Sequence, residues 1–374
     1  MECRLKILFL VNVPSPYRVA FFNELGKISD LTVLFERKSA SDRNEDWHDY
    51  KFENFKGVYL KGLKYKADKG INFDVIKYMD EKSYDHIIIG GYSTPTGMLA
   101  ITYLNYKKIP FILNIDGGMK NIKESKIKRL IKRYFISSAY GWLSTGKIGS
   151  AYLEYYGAKK DKIFVYPFTT LYNKDIISNI VDIDEKIELR KKLSLKGINI
   201  VTCVSRFIEG KGLDILIKAW ENVSEDASLY IIGGSPSEEY KNILKTLDIK
   251  NIYFIEFMGK EDLKKYYKAS DLFVLPTRGD VWGLVINEAM ACGLPVITTD
   301  RCVAGMELIE DYKNGFIIEV DNKEMLSDKI NQILNNKELI NTMSRNNLMK
   351  IRKYTLENMA AETLKGINSI KEGR

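Results

Sequence analysis

Short apolar runs alternate with segments of helical spacing along most of the chain. Within the first 166 residues the runs are LKILFLVNV, LTVLFE, HIIIGG, FILNID, WLST and KIFVYP. Each is too continuously apolar for a half-exposed strand, so they predict a parallel sheet covered on both faces. Between them lie helical segments; one opens with Thr94-Pro95, a start signal, and carries Ile101 and Leu104 on one face. Strand and helix in strict alternation predict an α/β, doubly wound, Rossmann-like unit. From Phe168 to Gly197 the sequence is charged and weakly periodic, which predicts a linker with one entry helix. The alternation then restarts with NIVTCVS, SLYIIGG, NIYFIEF, DLFVLPT, PVITTD and NGFIIE, a second Rossmann-like unit. From Asn322 to the end the pattern is helical, with apolar positions at Met325, Ile330, Ile333, Leu334, Leu356, Met359, Ala360 and Leu364. The domains expected are 1–167, a linker over 168–197, 198–352, and a C-terminal helix over 353–374 that packs back toward the first domain.

Composition narrows the chemistry. The 374 residues suit two domains. With only two histidines, His48 and His86, His-rich metal sites are excluded and any Ser-His-Asp device would need one of them. His48 lies in the polar run SDRNEDWHDY and His86 opens an apolar strand, so both read as structural. Cys3, Cys203, Cys292 and Cys302 are scattered without a framework spacing, which predicts free thiols in a reducing cytoplasm. The N-terminal run MECRLKILFLVNV reads as a buried first strand and not a signal peptide. No window reaches the ~18–20 apolar residues of a membrane span, so membrane contact is expected to be peripheral. The net charge of +8 predicts an anionic partner.

Several familiar motifs fail. The first strand is followed by NVPSPYR, without the Gly-x-Gly-x-x-Gly that close approach to a dinucleotide pyrophosphate requires. IEGKG around Lys211 lacks the spacing of a phosphate-binding P-loop. Asp182 and Asp184 match an Asp-x-Asp metal pattern, yet they open EKIELRKKL, where a helix N-terminus favours acids. No metal and no cofactor are expected. Nothing resembles a nucleic-acid motif, so no nucleic-acid partner is expected.

Two segments of the second domain do converge. In VTCVSRFIEGKGLDILIKAW a strand over 199–205 is followed by Arg206 and Lys211, with a helix starting near Gly212. Two cations and a helix start at the carboxyl edge of a parallel sheet make an anion site. Arg206 can grip a phosphate bidentately while Lys211 supplies a point charge. In DLFVLPTRGDVWGLVINEAMACGLPVITTD a strand over 271–276 leads to Asp280 and then to a helix from Leu284 carrying Glu288. Backbone N–H groups over 281–284 are expected to face a ligand there. Glu288 among Ala289, Met290 and Ala291 needs a buried partner, either a hydroxyl pair or a cation.

The spacing Arg206-x4-Lys211, followed by Asp280-x7-Glu288 within GDVWGLVINEAMACGLPVI, resembles the signature of retaining nucleotide-sugar glycosyltransferases of family 4. The likeness covers essentially the whole chain, with IGGSPSEE between the motifs and a helical tail after them. It implies the GT-B architecture, two Rossmann-like domains facing across a cleft, the first on the acceptor side. It further implies that Arg206 and Lys211 bind the donor diphosphate and that Glu288 holds the ribose hydroxyls. Asp280, with the backbone of Trp282, Gly283 and Leu284, would hold the transferred sugar. Gly234 and Ser235, with Phe257, Met258 and Gly259, would line the nucleoside. Two departures stand out. The first acid is Asp280 where many relatives have Glu. In the first domain FILNIDGG puts Asp116 where many have His, and Asp116 either orients the donor sugar or the acceptor hydroxyl, or caps the next helix. Arg206, Lys211, Asp280 and Asp116 are thus the expected catalytic set, with the departing phosphate taking the acceptor proton and no His base required.

One more segment fits an anionic partner. KNIKESKIKRLIKRYF, over 120–135, groups Ile127, Leu130, Ile131, Tyr134 and Phe135 on one face, flanked by Lys123, Lys126, Lys128, Arg129, Lys132 and Arg133. Such a helix either lies on an anionic membrane or packs its apolar face on the first sheet. The expectation is transfer from a UDP-sugar to a surface-polysaccharide, lipid-linked oligosaccharide or glycolipid hydroxyl, by a cytoplasmic enzyme peripheral to the inner face of the membrane. The alternative is a nucleotide-sugar epimerase of the same fold, whose usual need for further acid and base residues fits the histidine shortage poorly.

Overall fold

The computed structural model describes residues 4–38, 51–66, 69–120 and 124–372. His48, Cys3 and Lys123 lie outside the described residues. The chain divides into two compact units, one of Met1–Thr170 with Thr355–Arg374 and the other of Leu171–Tyr354.

The first unit contains β1 (Lys6–Val11), α1 (Pro16–Ile28), β2 (Asp30–Phe35), β3 (Lys56–Tyr59), β4 (Leu63–Lys66), β5 (Lys69–Ile71), β6 (His86–Ile89), α2 (Pro95–Lys107), β7 (Ile112–Asn114), α3 (Lys126–Ser137), β8 (Gly141–Ser144), α4 (Lys147–Tyr155) and β9 (Ile163–Val165). Seven strands form one parallel sheet in the order β3-β2-β1-β6-β7-β8-β9. All six expected strands are present; the apolar runs of β1, β2, β6, β7 and β8 are buried, whereas β9, at the sheet edge, is only partly covered and leaves Val165 exposed. The pattern missed β3 and the antiparallel β4–β5 hairpin. β3 is an edge strand whose side chains are only half-buried, so KGVY carries little hydrophobic signal. Thr94 caps α2 by accepting from the Gly97 N–H at 3.0 Å, with Pro95 in the first turn as the start signal requires.

The second unit contains α5 (Ile183–Lys192), β10 (Asn199–Val204), α6 (Leu213–Ala219), β11 (Ala227–Ile232), α7 (Glu238–Thr246), β12 (Ile252–Ile255), α8 (Lys260–Ala269), β13 (Leu272–Leu275), α9 (Leu284–Ala291), β14 (Val296–Thr299), α10 (Val303–Leu308), β15 (Gly315–Ile318), α11 (Lys323–Leu334) and α12 (Lys337–Ile351). Its parallel sheet runs β12-β11-β10-β13-β14-β15. The chain leaves β10 toward one edge and returns beside it as β13. The strand order therefore reverses between β10 and β13, and ligands of open α/β sheets bind at such a switch point.

The segment expected as a linker is divided: 168–170 fall in the first unit and 171–197 are integral to the second. The entry helix α5 docks there through charge, since Asp271 pairs with Lys186 at 3.0 Å and with Arg190 at 2.6 Å. Arg190 also donates through Nε to the Ala269 carbonyl at 2.9 Å. Asp182 is the N-cap of α5 and accepts from the Glu185 N–H at 2.8 Å, so the Asp-x-Asp pattern is a cap. The last helix, α13 (Leu356–Glu372), belongs to the first unit. It packs along α1, and its Gly366 and Ile370 meet Phe164 and Gly141 of that sheet.

Candidate functional site

In the second unit, the loops after β10 and β13 flank the switch point, and every residue of the two motifs lies on them or on the helices they start. After β10, Arg206 is exposed, a single 3-10 turn spans Glu209–Lys211, and Gly212 then opens α6. Gly212 has φ 65°, and a Cβ there would run into the carbonyl oxygen of Pro276. Only glycine satisfies both demands, and this lets the first loop lie directly against the second. After β13, the Arg278 N–H donates to the Gly210 carbonyl at 2.9 Å and Thr277 Oγ1 donates to the same carbonyl at 3.0 Å. The two loops are thus hydrogen-bonded into one surface.

Across that surface Lys211 Nζ pairs with Asp280 Oδ2, and both side chains are largely withdrawn from solvent. Asp280 also accepts from the Trp282 N–H at 3.2 Å. The Trp282 N–H, expected to face a ligand, is therefore already engaged, and the carbonyl of Trp282 accepts from Ala304 N–H at 2.8 Å. The Trp282 ring is buried and donates Nε1–H to Asn287 Oδ1 at 2.8 Å. Of the four expected donors those of Val281, Gly283 and Leu284 remain, the last two at a helix start where first-turn N–H groups have no intrahelical acceptor. Gly283 has φ 98°, and a Cβ there would lie 2.7 Å from Cys302 Sγ.

Glu288 sits one turn into α9, half-buried, and accepts from the Tyr267 hydroxyl at 3.2 Å. The need for a partner is met in part by this phenol, which sequence spacing did not reveal because Tyr267 comes from α8. Burial, and then the charge of Glu288, push the Tyr267 phenol well up, so it remains a proton donor. Beside it a small pocket is lined by Asp175, Lys260, Tyr267 and Glu288, with Lys260 bound to Asp175 at 2.6 Å.

The residues expected at the nucleoside lie beyond β11 and β12 at the same carboxyl edge. The Gly233 and Gly234 N–H groups both donate to the Ile255 carbonyl, at 3.0 and 3.3 Å. Ser235 donates to Glu256 at 2.5 Å. Phe257 is exposed, Met258 is half-buried, and Gly259 caps α8. Three buried thiols, Cys203, Cys292 and Cys302, are each pushed up to about 12 by burial and stay protonated.

In the first unit Asp116 follows β7, again at a carboxyl edge. It does not cap α3, whose N-cap is Ser125. Asp116 is ion-paired with Arg18 on α1, a residue that nothing in the local NVPSPYR pattern marks as its partner. His86 is buried as the first residue of β6, at the opposite, amino edge of the sheet.

The helix expected over 120–135 is observed as Lys126–Ser137, starting later because Ser125 accepts from the Lys128 N–H. Its apolar face divides. Phe135 and Ile136 are buried, whereas Ile127, Leu130, Ile131 and Tyr134 are 72, 66, 45 and 51% exposed. No helix among the described residues is long and apolar enough to cross a membrane.

Comparisons with known proteins bear on the family and the fold. Residues 185–348 match the family described as Glycosyl transferases group 1. An uncharacterised glycosyltransferase of Methanocaldococcus jannaschii is 27% identical, over 82% of this chain and 84% of its own length. The N,N'-diacetylbacillosaminyl-diphospho-undecaprenol alpha-1,3-N-acetylgalactosaminyltransferase of Campylobacter jejuni is 24% identical, over 82% and 80%. Among solved structures, Anabaena HepE in complex with UDP superposes with a TM-score of 0.79 at 17% identity, covering 98% of this chain and 100% of that one. The fold is thus GT-B, built from two parallel Rossmann-like units.

Proposed function

We propose that this chain, whose residues 185–348 match Glycosyl transferases group 1, carries out retaining, metal-independent transfer of a sugar from a UDP-sugar to a hydroxyl of a surface-polysaccharide, lipid-linked oligosaccharide or glycolipid acceptor, as a glycosyltransferase of the family 4 type. The observation that carries the reading is the Lys211–Asp280 contact across the switch point. It puts a cation suited to a leaving phosphate against a carboxylate suited to a sugar hydroxyl. Arg206 and Lys211 take the diphosphate, Glu288 the ribose, and Asp280 with the Gly283 and Leu284 N–H groups the sugar. Gly234, Ser235, Phe257, Met258 and Gly259 border the nucleoside.

In this mechanism the bond from the anomeric carbon to the phosphate oxygen breaks and the acceptor oxygen bonds to that carbon on the same face. The acceptor proton passes to the departing phosphate oxygen, so no residue acts as base. Negative charge grows on the leaving group, where Arg206 and Lys211 stabilise it; loss of one preorganised donor costs about 10²–10³ in rate. UDP release from a panel of UDP-sugars tests the reading. One sugar should be hydrolysed slowly without acceptor, and Arg206→Ala and Lys211→Ala should each fall by about 10²–10³. Near-normal turnover in both variants, or interconversion of the sugar without UDP release, overturns it.

The lipid-linked form of the acceptor has two supports. The Campylobacter relative is named for a diphospho-undecaprenol acceptor, and α3 leaves an apolar stripe uncovered beside Lys126, Lys128, Arg129 and Arg133. We assign that stripe to the surface of an anionic bilayer on the cytoplasmic side. Each cation near such a surface contributes about 1 kcal/mol. Flotation with vesicles containing anionic lipid should carry the protein at low salt and release it at high salt. Leu130→Glu with Ile131→Glu should abolish flotation, and no binding by the unaltered protein refutes the assignment.

A further inference from the structure

The first unit holds a charged pair, Arg18 with Asp116, outside the two motifs of the second unit. Arg18, in the first turn of α1, is only 4% exposed, and its Nη2 contacts Asp116 Oδ1. Asn114 Nδ2 donates to the same oxygen at 3.2 Å. Behind it the Tyr166 hydroxyl donates to Asn114 Oδ1 at 2.9 Å, and burial pushes that phenol up, so it stays a donor. The guanidinium carbon lies 5.8 Å from the Phe168 ring centroid and 6.0 Å from that of Tyr17. Arg18 Nη1 is buried with no hydrogen-bond partner among the described residues.

Two donors therefore converge on Oδ1 of Asp116, and Oδ2 receives neither, on a side chain that is 30% exposed. A carboxylate gripped by one oxygen has its plane and its second oxygen fixed. A buried, permanently charged guanidinium also cancels most of the negative charge that Asp116 brings to the carboxyl edge.

We propose that Arg18 is the positioning residue for Asp116, turning Oδ2 to accept a hydrogen bond from a sugar hydroxyl while neutralising the carboxylate. The inference rests on the reading that Asp116 meets a sugar hydroxyl. Its place in the fold, between α1 and the end of β7, makes it separable from the diphosphate site on the second unit.

The test uses the full chain with the UDP-sugar identified by UDP release, and compares Arg18→Met, Arg18→Lys, Asp116→Asn and the double variant Arg18→Met/Asp116→Asn. The readouts are kcat, KM, UDP affinity by calorimetry, the pH profile of kcat and the melting temperature. Arg18→Met should lower kcat by about 10- to 100-fold and leave UDP affinity unchanged. Its acid limb should move up by about 1–3 pH units, as expected for a carboxylate losing an adjacent opposite charge. Tyr17 and Tyr166 are ionisable groups beside Arg18, and phenols do not change charge on the acid side. Asp116→Asn should lose the limb. Arg18→Lys should restore its position while recovering only part of kcat, because an ammonium lacks the planar fork. The double variant should be about as slow as Asp116→Asn alone, and since it buries no unpaired charge it keeps the test informative if Arg18→Met folds poorly. Normal kcat and pH profile in Arg18→Met with a lowered melting temperature would mean that the pair is merely structural. Slow Asp116→Asn with normal Arg18→Met sinks this inference alone, whereas normal Asp116→Asn sinks the underlying reading as well.

Discussion

The Lys211–Asp280 pair allows a structural role to be separated from a catalytic one. The side chains are 17 and 20% exposed, between a surface pair, worth about 0–1 kcal/mol, and a sealed one, whose breakage costs about 3–5 kcal/mol. Lys211→Met removes the cation and leaves Asp280 largely buried without it, so we expect about 2 kcal/mol of destabilisation. For a unit of this size that lowers the melting temperature by about 4–8 °C. Replacing Asp280 with Asn in the same chain removes the stranded charge, so the double variant should regain most of that stability. Turnover should behave differently. If Lys211 stabilises charge on a departing phosphate, Lys211→Met loses about 10²–10³ in UDP release, and the added Asn recovers none of it. Scanning calorimetry and single-turnover UDP release on the same preparations give the two readouts. Parallel recovery of stability and turnover in the double variant would refute the catalytic role and reduce the pair to a clasp between loops.

Other outcomes follow from the same packing. Gly212→Ala should lower the melting temperature of the second unit, because it meets both a positive φ of 65° and the Pro276 carbonyl; a shift within 1 °C, by the ~2–4 °C per kcal/mol expected for this size, would refute the glycine argument. Asp214 receives both Arg278 terminal nitrogens, each at 2.8 Å. Burial alone would raise its carboxyl, but the Arg278 hydrogen bonds and charge outweigh that and hold it below the usual range. Its stabilisation is therefore complete above the unfolded value near ~3.9 and lost as pH falls through the lower folded one. Melting curves should accordingly show Arg278→Met less stable than the unaltered protein at pH 7, with the gap narrowing below pH ~4. A gap independent of pH would exclude Asp214 as the partner that matters. Cys203, Cys292 and Cys302 should resist iodoacetamide at pH ~7.5 until urea unfolds the chain, since thiolate is the reactive form and burial holds each thiol protonated; mass mapping of rapid native labelling at any of them would contradict this.

What could be read from sequence follows from range. Both parallel sheets were legible because their central strands are buried on two faces and so appear as unbroken apolar runs. β3 was not, since an edge strand needs no such run. The two motifs of the second unit were legible because each lies on one strand-loop-helix segment, where spacing along the chain is spacing in space. Lys211 and Asp280 could be assigned to one sheet edge, but not to each other, because their contact depends on Gly212 lying against Pro276. Tyr267 and Arg18 were invisible for a related reason. Each reaches its acid from a helix far away in sequence, and nothing local marks a Tyr in KKYYKA or an Arg in PSPYR.

The same distinction explains how the excess positive charge is used. Arg18, Lys211 and Arg278 each meet a carboxylate at close range, with side chains mostly withdrawn from solvent. These pairs fix loops and orient acids, and they contribute little to the field far from the protein because they are neutral in sum. The unbalanced cations lie elsewhere, notably on α3, where Lys126, Lys128, Arg129 and Arg133 surround an exposed apolar stripe. A bilayer reading of α3 and a phosphate reading of Lys211 therefore have different salt dependences. Membrane attachment through exposed cations should fall steeply as the Debye length shrinks from about 10 Å at 0.1 M salt to about 3 Å at 1 M. On the phosphate reading, UDP affinity rests on partly buried Lys211 as well as on exposed Arg206, and should fall less steeply. Flotation and calorimetry across that range would separate the two, and equal salt slopes would mean that one diffuse field, and not two built sites, accounts for both.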